Sequence, residues 1–403
     1  MLTNLKLLNT SLVYSVCYGL VAPVRKLEIM RMWCEMMVKV LNGEDVKNLI
    51  VGATILGTGG GGDPKEGLKT LLNDLKAGRK LNLASTSDLN PESLVVCAYF
   101  CGSISPPGEG SGSQKLELNQ EMLKALKILE RRMGEKVSAV IPTEIGGGNT
   151  AVAFHLASIL KVPVFDGDQV GRAAPELNQS TYIIHGVKAA PSVITDLHGN
   201  IVVVEDYVDV SSYEFIARNL AIAFGGSVFI IDSPVTIAKA DKIAVKNTIS
   251  RAIDLGKAIN DARKSRKNPL DAAVRFLNGF KIFRGFIKRH SLKVDKGFLT
   301  GYIEIEGVEE WKGQRFKIWV KNENIIGWRN GRVVVMAPDL ICTVDKNCNG
   351  VTNSEIKIGM ELALIGVKAP DIWRTPKGIE LFGPRHFGFD FDYVPIEELV
   401  KES

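Results

Sequence analysis

Residues 137–177 read VSAVIPTEIGGGNTAVAFHLASILKVPVFDGDQVGRAAPEL and carry the clearest secondary-structure pattern of the chain. An apolar strand is predicted over Val137–Ile141, a helix over Asn149–Leu160, and a second apolar strand over 162–165. Two buried strands joined by a helix through short connections are typical of a parallel βαβ unit. The stretch therefore predicts an α/β domain.

The segments upstream continue this pattern. A third apolar strand is predicted over 94–101, and an amphipathic helix over 119–133 follows it. Asn42 can cap a helix that stops at the glycine run 57–62, and Asp63, followed directly by proline, has the features of a second helix start. Strands that alternate with helices in this way predict a mostly parallel sheet covered by helices.

The pattern changes after residue 180. Strands are predicted over 181–185, 192–195, 201–206 and 228–231, and helices over 211–224, 238–262 and 270–277. From 280 to about 367 strands alternate with turns, which favours a small antiparallel barrel or sandwich. We therefore expect five segments: an extension over 1–36, an α/β domain with glycine-rich loops over 37–180, a mixed strand and helix segment over 181–279 that completes or bridges the domains, a β-barrel-like domain over 280–370, and a carboxyl-terminal segment over 371–403 that packs back on the core.

Composition excludes several classes of protein. The 403 residues are 45% hydrophobic and 24% charged, which is ordinary for a globular chain. A net charge of +5 without an Lys/Arg-dense stripe does not indicate a nucleic-acid partner. Six cysteines without a CxxC pair make a structural zinc site improbable and suit a reducing cytoplasm.

The amino terminus is read separately from the domains. Its apolar run, 11–24, is shorter than the roughly 20 residues that span a bilayer, so we expect no membrane association. Four methionines lie within 30–37, just before the first clear helix start. We therefore expect 1–36 to be a mis-assigned or disordered extension.

Three polar, glycine-rich loops follow the carboxyl ends of the predicted parallel strands, at 102–118, 143–149 and 166–176. Ligands of open α/β sheets bind at that edge, so we expect these loops to converge on one crevice. Glu144 lies in the second loop, beside the positive end of the following helix. It could act as a second cap, as a general base or as a metal ligand.

The third loop carries two carboxylates, Asp166 and Asp168, which could share a cation or orient a water molecule. In the alternative, Asp166 caps a turn and Arg172 pairs with Glu176. His185, in the next predicted strand, is either a structural hydrogen-bonding group or a catalytic residue.

The glycine run 57–62 could cradle an anion with its backbone N–H groups. Three interpretations remain: it binds a substrate carboxylate, it binds a nucleotide phosphate, or it is a purely structural turn. No Gly-Lys-Ser/Thr follows the run, and a helix precedes it, which weakens the nucleotide interpretation. Cys97 and Cys101 lie in an apolar run and are expected to be buried, inert thiols. Ser103 and Ser105 lack a G-x-S-x-G elbow, so a serine-hydrolase triad is improbable.

Several blocks together resemble the S-methyl thiohydantoin desulfurase-like family, which is related to hydantoinases and oxoprolinases. They are 57–64, 144–149, DGDQVGRAAPEL at 166–177, His185-Gly186, PRHFG at 384–388 and YVP at 393–395, in the order of the family. The resemblance runs from about residue 38 to 395. It implies a three-layer α/β amino-terminal domain and a carboxyl-terminal β-barrel-like domain. It also implies hydrolysis of a five-membered cyclic imide or of its S-methyl thio analogue.

On this resemblance we expect water to attack C2 of a hydantoin-like ring. The candidate catalytic residues are Glu144, Asp166, Asp168 and His185, and a divalent metal could be held by Glu144, Asp166 and Asp168. The candidate substrate-binding residues are Thr58, Gly59, Gly60, Gly61, Gly147, Gly148, Asn149, Arg172 and Glu176. We also expect a homo-oligomer. The alternatives are a non-catalytic partner subunit of an ATP-dependent hydantoinase or oxoprolinase complex, and a nucleotide-binding protein.

Overall fold

The computed structural model describes residues 38–103 and 120–401. Two sheets and their helices account for most of this part of the chain. The elements up to the second sheet are β1 (Lys39–Val40), α1 (Gly43–Leu56), α2 (Pro64–Lys76), β2 (Asn82–Ala84), β3 (Leu94–Gly102), α3 (Gln120–Met133), β4 (Val137–Ile141), α4 (Asn149–Leu160), β5 (Val164–Phe165), β6 (Gly167–Asp168), α5 (Thr181–Ile184), β7 (Ser192–Thr195), β8 (Ile201–Val204), α6 (Val210–Ala223), β9 (Ser227–Thr236), α7 (Ile237–Ile243), β10 (Val245–Lys246), α8 (Thr248–Lys264) and α9 (Pro269–Leu277).

The first sheet has the strand order β1-β2-β5-β4-β3-β9-β7-β8. Its centre, from β2 to β3, is parallel, whereas β1 and the strands beyond β3 pair antiparallel. The sheet is therefore mixed, and the prediction of a mostly parallel sheet is wrong. The reason is β9, which runs back along nearly the whole of β3 and brings β7 and β8 into the same sheet.

Helices cover both faces of this sheet. Along β3, Val96 and Ala98 belong to the hydrophobic core that contains α1, α3, α4 and α8. Their neighbours Val95 and Cys97 belong to a second core with α6 and α7. Because side chains alternate between the faces of a strand, the sheet is the middle of three layers.

The second sheet is antiparallel throughout and curls into a half-barrel. Its strands run in the order β16-β15-β14-β13-β11-β18-β17, with β12 paired to β13. The remaining elements are β11 (Phe280–His290), β12 (Lys293–Asp295), β13 (Phe298–Gly307), β14 (Arg315–Lys321), β15 (Glu323–Arg329), β16 (Arg332–Met336), β17 (Leu340–Val344), β18 (Glu361–Val367), α10 (Pro376–Phe382) and α11 (Ile396–Leu399). Alternate residues of these strands enclose a separate apolar core. The α/β and β-barrel-like character expected from the sequence is thus present in coarse form.

Some of the helices and strands predicted from local sequence patterns are correct and others are wrong. Asn42 and Asp63 cap α1 and α2 as predicted, each accepting backbone N–H groups of the first turn. The strand predicted over 181–185 is wrong, because Ser180 accepts the Tyr182 N–H and starts the short helix α5. The helix predicted over 238–262 is interrupted by β10, which pairs with β6.

Across the described residues, no helix combines the length and apolarity that a membrane crossing requires.

Candidate functional site

A cleft lies where the parallel strands of the first sheet end. Its walls are Gly61, Gly62, Tyr99, Phe100, Cys101, Gly102, Ser103, Thr143, Glu144, Asn149, Val170, Ala174, Pro175, Glu176, Leu177, Gln179, Ser180, Arg218, Asn322 and Glu323. The three loops expected to converge do so in their described parts, and Ser105 lies outside the described residues. The second sheet closes the cleft with Asn322 and Glu323, so both sheets build it.

Glu144 lines this cleft three residues after β4. Its Oε1 accepts a hydrogen bond from Asn149 Nδ2 at 2.8 Å, and its Oε2 accepts one from the Ala174 N–H at 2.8 Å. Burial raises the pKa of Glu144 to about 7, although these hydrogen bonds and the charges of Arg172 and Arg218 act in the opposite direction. A carboxyl group in this range can exchange a proton near neutral pH.

The glycines beside Glu144 allow two backbones to touch. A Cβ on Gly146 would stand 2.3 Å from the Gly61 Cα, so neither loop tolerates a side chain at this contact. The N–H groups of Gly148 and Asn149 both donate to the Gly61 carbonyl, at 2.9 and 3.1 Å. These two amides therefore hold the loops together and are not free to bind an oxyanion.

The predicted substrate-binding residues divide into two groups. Gly61, Asn149 and Glu176 line the cleft. The others, Thr58, Gly59, Gly60, Gly147, Gly148 and Arg172, are not part of its walls. Their close contacts are with one another and with neighbouring loops, such as Thr58 with Arg172 and Gly147 with Pro64.

Arg172 is completely buried, and its hydrogen bonds give it a structural role. It donates to Thr58 Oγ1 and to the carbonyls of Ala173, Pro338 and Asp339 at 2.8–3.0 Å. The considered pair with Glu176 does not form. Arg172 instead joins the loop after β6 to the second sheet.

Glu176 has two other partners, a histidine and a lysine, at the edge of the cleft. Its Oε2 contacts His386 Nε2 at 2.5 Å, and its Oε1 accepts a hydrogen bond from Lys321 Nζ. Burial opposes the charged form, yet the His386 hydrogen bond and the Lys321 charge lower the pKa of Glu176 to about 2. The segment PRHFG thereby attaches to the cleft through one histidine.

The two aspartates after β5 do not meet Glu144 in a metal site. Asp166 accepts the Ser250 N–H at 3.0 Å and the Ser250 hydroxyl at 2.5 Å, and so caps α8. Asp168 is buried outside the cleft walls, and its Oδ1 accepts the N–H groups of Val170 and Gly171. No group of three His, Cys, Asp or Glu side chains suited to a metal occurs in the described ranges. The predicted metal ligands therefore do not fit a metal ion.

His185 is also outside the cleft. It ends α5, and its side chain is exposed. The structure does not bring it to Glu144, because the residue that was expected in a strand lies at the end of a helix.

Two charged residues of the cleft were not predicted from the sequence. Glu323 is 2% exposed, and its Oε2 has no hydrogen-bond partner within the described part of the chain. Arg218 is buried, and donates to Glu214 and to the carbonyls of Gly102 and Pro175. The one available signal for Glu323 was an acidic residue directly before the apolar run NIIGW.

The cysteines behave as expected. Cys97 and Cys101 are free and buried. Burial raises the pKa of Cys101 to about 11, and raises that of Cys97 well above its usual value. Neither thiol has the thiolate character of a nucleophile.

Comparison with known proteins gives a family and a fold. The model of the S-Me-THD-like N-terminal domain matches residues 44–206, and that of the S-Me-THD-like C-terminal domain matches residues 208–396. A crystal structure of a protein from Chromobacterium violaceum is similar over 89% of this chain and 100% of its own, with a TM-score of 0.69 and 21% identity. At that identity the likeness concerns the fold alone. No curated protein sequence matches the chain.

Proposed function

The chain belongs to the S-Me-THD-like family, and we propose that it is a hydrolase of a five-membered S-methyl thiohydantoin-like ring. The family expected from the sequence is thereby confirmed, and membership is consistent with a thiohydantoin-related function. The reaction, the substrate and the residue roles are our proposal. Glu144 carries it, because its carboxyl group is buried, oriented from both oxygens and present in the wall of the cleft.

Glu144 is the general base in this proposal. Its raised pKa keeps a substantial deprotonated fraction at neutral pH and makes the carboxylate a stronger base than an exposed glutamate. Asn149 and the Ala174 N–H hold the two oxygens in place, which fixes the direction from which a proton is taken.

The reaction balances with one water molecule. Glu144 takes a proton from water as the oxygen bonds to C2, the electron pair of the C2=N bond moves to the ring nitrogen, and Glu144 gives its proton to that nitrogen. The C2–S bond then breaks with its electron pair on sulfur, the oxygen forms the C2 carbonyl, and methanethiol leaves. Ring plus water gives hydantoin plus methanethiol, without oxidant or reductant.

The test measures thiol and ring product together. The full chain is incubated with S-methyl thiohydantoins that differ in ring substituent; a thiol reagent counts methanethiol and mass spectrometry counts hydantoin. We expect equal amounts of both, and a kcat/KM that falls about 10²–10⁴-fold in Glu144→Gln.

Glu130→Gln is the matched control, because Glu130 is also a largely buried carboxylate but accepts the Val137 N–H away from the cleft. It should keep wild-type turnover. Full activity in Glu144→Gln would refute the role of Glu144. Absence of thiol release by the folded protein, with ring opening of hydantoin or 5-oxoproline only on addition of ATP and a second subunit, would favour the partner-subunit function instead.

A further inference from the structure

We propose that Glu323 is a second catalytic carboxyl group of this cleft, and that it donates the proton with which the sulfur leaves. The inference rests on the proposed function. It concerns a residue of the second sheet, 179 positions away from Glu144 in the sequence.

The Glu323 side chain packs against the glycine run 57–62. A Cβ on Gly60 would stand 1.8 Å from Glu323 Oε1, so a side chain at residue 60 would displace the carboxyl group from this position. The nearby Gly61 N–H acts to lower the pKa of Glu323. The preceding residue, Asn322, has a φ of +55° and turns the chain from β14 into β15. These contacts place the carboxyl group in the wall of the cleft.

One oxygen of Glu323 remains available. Its Oε2 is buried and finds no partner among the described residues, although it belongs to a side chain that is only 2% exposed. A buried polar atom without a partner is costly, and among the eleven residues with such an atom in the described part of the chain only Glu323 lines the cleft. A substrate atom in the cleft would supply the missing partner.

Two buried carboxyl groups that line one cleft take different protonation states. Burial and the charge of Glu144 raise the pKa of Glu323 well above its ordinary value, against the charge of Arg172. Glu144 accepts two hydrogen bonds, which favour its charged form, whereas Glu323 Oε2 accepts none from the described residues. The pair therefore holds a proton on Glu323 when Glu144 is ready to accept one, as an acid and base pair requires.

The second half of the reaction needs such an acid. When the C2–S bond breaks, its electron pair stays on sulfur, and an alkyl thiolate is a poor leaving group. Glu323 gives its proton to that sulfur, so methanethiol departs neutral. The hydroxyl proton of the intermediate, lost as the C2 carbonyl forms, returns through Glu144 and restores Glu323.

Leaving-group dependence tests this role. The substrates are S-ethyl and S-(2,2,2-trifluoroethyl) thiohydantoins, which are similar in size, but the fluorinated thiolate leaves without needing a proton. We expect Glu323→Gln to lose about 100-fold in kcat/KM on the S-ethyl ring and only a few-fold on the fluorinated ring. Glu144→Gln should lose about equally on both, because the base acts before sulfur leaves.

Equal losses on both rings in folded Glu323→Gln, or no loss on either, would overturn the proposal. Wild-type protein gives a second measurement should the variant not fold: with an internal acid its two kcat/KM values differ by less than about tenfold, and a far larger preference for the fluorinated ring would exclude one. If wild-type protein releases thiol from neither ring, the proposed function itself fails. The two failures are therefore distinguishable.

Discussion

The loop after β4 and the loop after β5 start at the same edge of the sheet, but their acidic residues have different roles. Both leave parallel strands of the first sheet at the same edge, and both carry acidic residues. Burial raises the pKa of both Glu144 and Asp168 to about 7, but of the two Glu144 alone lines the cleft. Asp166 of the second loop caps α8, and Asp168 closes its own turn.

The difference shows that a carboxylate at a strand end is not by itself a catalytic signal. Aspartate is short and readily accepts the nearest backbone N–H groups, as Asp168 does two and three residues ahead. Glu144 receives its hydrogen bonds from Asn149 and from Ala174 of the other loop. We therefore expect changes in the loop after β5 to affect stability, and changes around Glu144 to affect turnover.

The largest expected effect is on stability, at Arg172. Arg172→Met leaves the carbonyls of Pro338 and Asp339 and the Thr58 hydroxyl without their buried donor. The free energy of unfolding should fall by about 3–5 kcal/mol, measured by urea titration. Arg289→Met is the control, since that arginine pairs with Glu304 at the surface and should change it by less than about 1 kcal/mol. An Arg172 variant as stable as the control would contradict the structural role.

Next in size is the effect of Asn149→Ala on the pH dependence of turnover. Wild-type kcat/KM should rise with pH up to about 7, because protonated Glu144 cannot take a proton. The Asn149 hydrogen bond lowers the pKa of Glu144, so its removal should move the midpoint to higher pH and reduce turnover below the midpoint about tenfold. A pH–rate profile with an unmoved midpoint would mean that Glu144 is not the titrating group.

A smaller effect is expected for Glu176→Gln, which removes the carboxylate held by His386 and Lys321. At pH 7 the free energy of unfolding should fall by about 1–3 kcal/mol. Because the pKa of Glu176 is lowered from 4.5 to about 2, its stabilising contribution is present above pH 4.5 and lost as the pH falls towards 2. Wild type and variant should therefore converge in stability across that window, which thermal unfolding at several pH values measures. A constant difference would contradict the pairing.

The smallest effect is expected for Asp166→Asn. The amide can still accept from Ser250 but no longer places a negative charge at the start of α8, so the loss of stability should be about 0.5–1 kcal/mol. Turnover should stay within about threefold of wild type, since the residue is outside the cleft walls. A hundredfold loss of kcat/KM in the folded variant would return Asp166 to the catalytic candidates.

Local patterns in the sequence predicted much of the first domain. The caps at Asn42 and Asp63, the strand β3 and the helix α4 follow from residues that are close in the chain. The antiparallel direction of β9 could not be predicted, because an apolar strand has the same sequence pattern whether it pairs parallel or antiparallel.

Only the part of the cleft that the first sheet forms was predictable from the sequence. Glu144 lies between a clear strand and a clear helix, so its position at the sheet edge followed from topology. Glu323 and Arg218 reach the cleft through contacts with residues more than 100 positions away, such as Gly60 and Gly102. No spacing rule of a single sequence reports such contacts.

The most direct test of the proposed hydrolysis at C2 is turnover of an S-methyl thiohydantoin in water enriched in ¹⁸O, with mass spectrometry of both products. Attack of water at C2 predicts one ¹⁸O atom in the hydantoin carbonyl and unlabelled methanethiol. An unlabelled ring, or ¹⁸O recovered in methanol after cleavage of the S–CH₃ bond, would contradict the account.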